Sequence, residues 1–417
     1  MAQLSDDSFA FGDHLIGLAE AVRLIAGRIR PVEGSEVVAL GAAEGRILAD
    51  DVFAPVSVPS FDNSAVDGYA VRHADLATTG PTQLAVSARI PAGMVDPPAL
   101  TAGTAARIFT GAPMPAGGDT VFMQEDVREE NGFVTLPQGL KKGANRRFSG
   151  EDFTQGQPVL VAGTRLDPRG LAALAALGLA EVRLRRRVRV ALFSTGDELV
   201  PPGGVLKAGA QYDSNRTLLS ALIQRRGALV SDLGILPDRR ATIGAALDEA
   251  ARNHDFILTS GGVSTGEEDH VKAAVEERGA LNFWRLAIKP GRPVAMGTIH
   301  GAAFVGLPGN PVASFVTFVR LAGPMIDHLA GGQPQFPAGY AVRADFSHTK
   351  KAGRTEYLRG SLKGEQDHLP VVGKFDRDGA ALISSLIGSD GLIELDPETT
   401  RVEPGAIVRF LPFETLM

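Results

Sequence analysis

The stretch Asp255–Asp269, DFILTSGGVSTGEED, decides how this chain is read. A run of strand-forming residues that includes Phe256–Thr259 passes directly into a glycine-rich loop, which ends in Glu267, Glu268 and Asp269. Gly261, Gly262 and Gly266 let the backbone turn tightly and approach a ligand closely. Amides in such a loop cradle phosphate, and acids behind it hold a divalent cation. Taken alone, the segment reads equally well as a glycine turn closing a strand.

The flanking sequence alternates strand and helix from Arg183 to Ala330. Strands are expected at Val188–Ser194, Leu229–Leu233, Phe256–Thr259, Val294–Gly297 and Ala303–Leu307, and helices at Asn215–Arg226, Ala241–Asn253, His270–Arg278 and Val312–Leu329. Strands apolar on both faces and joined by helices predict a doubly wound parallel sheet. Ligands of such sheets sit beyond the carboxyl ends of the strands. The loops Ser194–Glu198 (STGDE), Ser260–Asp269 and Pro308–Pro311 (PGNP) would then meet at one edge.

The remainder differs in texture. His14–Arg30 has helical apolar spacing with Asp13 as N-cap, and a second short helix is expected at Ala42–Asp50. Residues 56–150 read as a β-rich insert, with short runs at Gln83–Ile90, Ala105–Thr110, Val121–Met123 and Phe133–Leu136. Asp167–Leu179 returns to helix, so residues 1–55 and 151–182 would form one discontinuous, helical N-terminal and linking domain around the insert. Residues 183–330 form the α/β domain, and residues 331–417 a small barrel or sandwich.

The 417 residues suit about two to four domains. The content of 44% hydrophobic and 22% charged residues fits a soluble globular protein, and a net charge of −6 argues against a nucleic-acid partner. With no cysteine, disulfides and thiolate chemistry are excluded. The longest apolar run, Leu171–Ala180, is too short to span a bilayer. The N-terminal stretch is acidic, unlike a signal peptide, and a cytoplasmic location is expected. The eight histidines show no metal-ligand spacing.

Eight segments, in order, carry a family resemblance: Pro59–Arg72 (PSFDNSAVDGYAVR), Arg107–Asp126, Ser149–Phe153 (SGEDF), Val190–Leu199, Tyr212–Asn215 (YDSN), Thr259–Asp269, Phe283–Pro293 (FWRLAIKPGRP) and Gly306–Ser314 (GLPGNPVAS). With these the chain resembles the molybdopterin molybdenumtransferases, the MoeA and gephyrin E-domain group, over essentially its whole length. The resemblance implies adenylated molybdopterin and molybdate as substrates, AMP release, help from Mg2+ or another divalent cation, and an elongated homodimer. In that homodimer the sheet domain of one subunit meets the insert of the other. The upstream molybdopterin adenylyltransferase is a further implied partner, and a gephyrin-type scaffold or an adenylyltransferase are the alternatives.

The resemblance assigns chemistry to Asp67, Thr110, Asp152, Glu198 and Asp269, with Asp67, Glu198 and Asp269 on the cation. Three of them have a plainer reading: Asp67 as an Asx turn, Thr110 as a turn cap, Asp269 as a helix cap. Asp213 reads as a helix N-cap. Substrate contacts are expected from Ser260, Gly261, Gly262, Val263, Ser264, Gly266, Asp238, Pro308, Gly309, Asn310, Pro311 and Ser314. Lys289, Arg292 and Arg359 would receive an oxyanion, Arg by bidentate contact and Lys as a point charge. The βα turn STGDE lacks the GxGxxG of a dinucleotide site. Two departures from the family pattern stand out: Arg285 where some relatives carry lysine, and Ala380 where relatives often carry serine. If that serine binds the oxyanion, its role is missing here or passes to Ser384 or Ser385.

Overall fold

The computed structural model describes residues 15–262, 270–291, 293–334, 336 and 338–416. Its centre is a seven-stranded sheet. Arg189–Thr195, Leu229–Leu236, Phe256–Ser260 and Ala302–Leu307 run parallel, with Arg189–Thr195 between Leu229–Leu236 and Phe256–Ser260. Alternation along a strand sends Val190 and Leu192 into one core and Ala191 and Phe193 into another, so both faces are buried. The helices Ser214–Arg225, Arg240–Asn253, His270–Glu276 and Pro311–Thr317 belong to these layers.

The α/β reading holds, with one change of direction. Pro293–Ile299 runs antiparallel to Ala302–Leu307. Only His300 and Gly301 join them, both at positive φ (47° and 94°). Two left-handed residues make a hairpin turn, whereas a parallel neighbour needs a crossover of a dozen residues or more. Gly279–Leu286, not foreseen as a strand, continues the sheet antiparallel to Pro293–Ile299. The long helix expected at Val312–Leu329 contains a π turn at Phe318–Ala322. Pro324, lacking an N–H, accounts for the displaced ladder just before it.

No helix forms over Ala42–Asp50. Leu40–Ala42 makes one 3-10 turn, Gly45 adopts φ 71°, and Ile47 and Leu48 bridge to Arg165 and Leu184 in extended backbone. A left-handed glycine ends helical propagation there. Segments on either side of the insert pair with each other: Ser35–Ala39 with Glu181–Arg185, and Val52–Phe53 with Pro158–Leu160. The first helix spans Leu18–Ala26, shorter than expected.

Between those segments lies a six-stranded sheet that includes Gly68–Val71, Thr82–Ile90, Thr104–Ile108, Thr120–Met123 and Phe133–Leu136. At the C-terminal end, Thr355–Gln366 pairs with both Leu369–Lys374 and Gly391–Leu395, which closes a five-stranded barrel around Val342, Leu358, Val372, Ile393 and Phe410. Closure removes the exposed edges that a sandwich would leave. Ile288–Lys289 pairs parallel with Thr355–Glu356 and so joins the α/β layer to the barrel. Among the described residues no helix is long and apolar enough to cross a membrane.

Candidate active site

Three parallel strands end on one side of the sheet, and the turns that follow them form a cleft of about 510 Å³. Thr195, Gly196 and Glu198 come from the first strand, Ser260, Gly261 and Gly262 from the second, and Pro308–Pro311 from the third. Asp238, which follows Leu229–Leu236, also lines it. This is where strand ends of an open α/β sheet bind ligands.

The turns are shaped by glycine where only glycine fits. Gly261 and Gly262 have φ of 88° and 66°. A Cβ on Gly262 would stand 2.7 Å from Thr195 Oγ1 and would also collide with Val271. The Gly261 amide donates to the Leu307 carbonyl at 3.1 Å, tying the second turn to the third strand. Asn215 ties them again: its Nδ2 donates to Ser260 Oγ at 2.8 Å and to the Gly309 carbonyl at 2.6 Å. Ser314 is fully buried, and its hydroxyl donates to the Pro308 carbonyl at 2.7 Å, which shapes the turn from behind. Asp213 is buried as the N-cap of Ser214–Arg225 and pairs with Arg216 at 3.0 Å. The capping reading of Asp213 is therefore the one observed.

Asp67 and Thr110 meet in the β-rich insert. Thr110 donates to Asp67 Oδ1 twice, from its backbone N–H and its hydroxyl, each at 2.8 Å. Those donors, the backbone one first, hold the Asp67 carboxyl below the usual aspartate range, and the Arg107 charge assists. Arg107 is stacked over both Tyr69 and Phe109. The Asp152 amide donates to the Val58 carbonyl at 3.0 Å, and Asp152 itself is exposed. None of these three lines the cleft, so one chain presents two separate groups: Asp67 of the insert with Asp152 just after it, and the glycine turns of the sheet with Glu198 and Asp238.

A family model described as MoeA N-terminal region (domain I and II) matches residues 16–178. One described as probable molybdopterin binding domain matches 191–328, and one described as MoeA C-terminal region (domain IV) matches 341–413. The molybdopterin molybdenumtransferase of Haemophilus influenzae is 41% identical over 386 residues, covering 92% of this chain and 95% of that protein. The chain belongs to the molybdopterin molybdenumtransferase family. The Bacillus subtilis molybdopterin molybdenumtransferase is 34% identical over 95% of this chain and 94% of its own length. A crystal structure of the molybdopterin biosynthesis MoeA protein from Pyrococcus horikoshii OT3 superposes with a TM-score of 0.81 at 28% identity, covering 96% of this chain and all of that one.

Two further expected residues of this molybdopterin molybdenumtransferase relative, Lys289 and Arg359, lie around the barrel seam. Lys289 Nζ donates to Glu356 Oε1 at 2.7 Å, and Glu356 is almost fully buried while Lys289 stays exposed. Arg359 is 5% exposed and does not line the cleft. Its Nε donates to Ser385 Oγ at 2.9 Å and its other guanidinium nitrogen to the Gly379 carbonyl at 3.2 Å. Burial pushes the Arg359 pKa down, opposed by the charges of Asp378 and Glu356. Ser385 is fully buried and donates to the Leu382 carbonyl, so its hydroxyl is engaged within the barrel, whereas Ser384 is exposed. The Ala380 carbonyl accepts from the Val312 amide at 2.9 Å, which holds that loop against the helix following the third turn.

Val263, Ser264, Gly266, Asp269 and Arg292 lie outside the described residues. Sequence reasoning passed over Asn215 and Tyr212 in YDSN, Thr195 in STGDE, and Glu356. The YDSN motif itself was the available signal for the first two. Nothing local marks Glu356, whose role depends on a strand pairing 67 residues away in sequence.

Proposed function

We propose that the chain inserts molybdenum into adenylated molybdopterin and releases AMP, completing molybdenum cofactor assembly. The observation that carries this is the convergence of three glycine- or proline-rich turns on one cleft at the carboxyl edge of the sheet, within the region matched by the molybdopterin-binding model. Its substrates are adenylated molybdopterin and molybdate. In this reading the loop that starts at Gly262 and continues through Val263, Ser264 and Gly266 holds the diphosphate through backbone N–H groups, while Ser260 and Gly261, whose amide is engaged by the Leu307 carbonyl, anchor it to the sheet. Pro308–Pro311 forms the opposite wall, shaped by Ser314 and Asn215. Lys289 and Arg292 receive molybdate, and the exposed ammonium of Lys289 supports its part; Arg359, expected beside them, is buried and engaged by Ser385 and the Gly379 carbonyl, which speaks against direct contact in this conformation.

The residues present are of the kind that holds Mg2+. Glu198 and Asp238 both line the cleft, and Mg2+ is commonly held by one or two carboxylates together with waters and substrate phosphates. Among the described residues no group of three metal-ligating side chains gathers. Glu198, Asp269 and Asp67 are the proposed ligands, and Asp238 lines the same cleft as Glu198. When bound, such a cation offsets charge developing on the leaving phosphate. Asp67, kept ionised by Thr110, and the exposed Asp152 supply the carboxylates on the insert side.

The reading includes a homodimer, in which the insert of one copy faces the cleft of the other. The separation of the Asp67–Thr110 pair from the cleft in a single chain supports it. A cytoplasmic location and docking of the adenylyltransferase that supplies the substrate complete the proposal. The test is AMP release from adenylated molybdopterin by purified protein, with and without molybdate. Release that depends on molybdate and is strengthened by Mg2+ is expected. ATP consumption with unadenylated molybdopterin would point to an adenylyltransferase instead, and binding without turnover to a scaffold.

A further inference from the structure

The proposed ligand asks two things of the cleft. Its phosphates need donors, and its flat heteroaromatic rings need a flat apolar wall. Among the described residues lining the cleft, Tyr212 alone is aromatic. Its backbone is fixed: Gln211–Tyr212 pairs parallel with Leu199–Val200, and the next amide, that of Asp213, donates to the Val200 carbonyl at 2.9 Å. Asp213 is buried and caps the following helix, so the chain cannot shift there without breaking the cap. The far end of the ring is held as well, because the phenol donates to the Gly204 carbonyl at 3.0 Å. Gly204 belongs to a compact turn in which its amide donates to the Pro201 carbonyl at 3.0 Å. With its hydroxyl proton engaged, Tyr212 is left with its ring and an acceptor oxygen to offer a ligand, and the residue is 47% exposed. A rigid aromatic face needs little ordering to receive a second ring, and the quadrupole favours an offset stack.

We infer that Tyr212 is a specificity-determining residue of the cleft that stacks on a planar heteroaromatic ring of the substrate. The inference rests on the proposed function for the substrate's identity. Adenine and pterin share the required chemistry, and binding measurements separate them. Wild type, Tyr212→Ala and Tyr212→Phe are titrated calorimetrically with AMP, with unadenylated molybdopterin, and with pyrophosphate as the ringless control. Loss of a stacked ring is expected to weaken binding about 5- to 150-fold in Tyr212→Ala. Tyr212→Phe keeps the face and is expected to stay within about threefold of wild type. Pyrophosphate affinity is expected to be unchanged in both. Loss confined to AMP assigns adenine to the ring, and loss confined to molybdopterin assigns pterin; either result supports the inference. An equal loss for pyrophosphate would show that the substitution deforms the turns, and would overturn it, as would unchanged affinity for both ring-bearing ligands. Tyr212→Trp guards against a folding defect, since an intact stack is expected to survive in it; loss of ring binding in that variant despite a wild-type circular dichroism spectrum counts against stacking. Failure of the functional reading has its own signature, absence of molybdate-dependent AMP release by the wild-type protein, which these binding titrations do not involve.

Discussion

Replacing Asn215 with alanine tests whether the cleft is built as a braced pair of turns. Asn215 is 6% exposed and its Nδ2 spans Ser260 Oγ at 2.8 Å and the Gly309 carbonyl at 2.6 Å. Each bond contributes about 0.5–1.5 kcal/mol net. Ser260 is buried and its hydroxyl would lose a donor, whereas Gly309 is exposed and its carbonyl would recover a water. Adding a partial cost for Ser260 alone gives a loss of about 2–3 kcal/mol. Unfolding in urea is followed by circular dichroism. At about 1–3 kcal/mol/M, the midpoint should fall by roughly 0.7–3 M. The same variant should bind pyrophosphate more weakly, because the turn amides are no longer held in place. A midpoint within about 0.2 M of wild type, with unchanged pyrophosphate affinity, would refute the bracing argument.

Other perturbations probe separate parts of the site. Asp67→Asn keeps the shape facing Thr110 but removes the charge; substrate binding should change little while kcat for AMP release falls about 10²–10⁴-fold, and normal turnover would remove Asp67 from the chemistry. Gly262→Ala forces a Cβ onto Thr195 and Val271 at a left-handed φ, so a loss of about 2 kcal/mol or more is expected in the same urea assay, together with loss of pyrophosphate binding. Asp255 accepts both guanidinium nitrogens of Arg186 at 2.8 Å. Burial alone would raise its carboxyl, but Arg186 and the Arg189 amide outweigh that and hold it low. The pair's stabilisation is therefore complete above the ordinary aspartate pKa of about 4, and is lost as pH falls through the lower folded value. Asp255→Asn should destabilise the protein at pH 7 by about 1.5–3 kcal/mol and flatten the acid limb of its stability profile, measured by thermal unfolding between about pH 3 and 7.

Much of the cleft's geometry is readable in the sequence because it is local. Glycines at 261 and 262 announced a backbone that only glycine adopts, and the strand before them announced where that backbone would stand. PGNP likewise signalled a stiff turn opening a helix, and that helix begins at Pro311 with Asn310 before it. The expected helix at Ala42–Asp50 failed for the complementary reason: apolar spacing there serves bridges to Arg165 and Leu184, partners more than a hundred residues away. The direction of Pro293–Ile299 turned on the conformation of two residues, His300 and Gly301, that composition left undecided.

Residue order alone determined the strand–helix alternation, the β-rich insert, the closing β-rich segment and the three turns that line the cleft, since each follows from short-range sterics and from which faces are apolar. Tertiary structure decided what meets across distance. It joined Lys289 to Glu356 through a strand pair, made Asn215 a brace between two turns, buried Arg359 against Ser385, and kept Asp67 with Thr110 in the insert. Such pairings depend on where separate elements pack against one another, and no run of neighbouring residues encodes that.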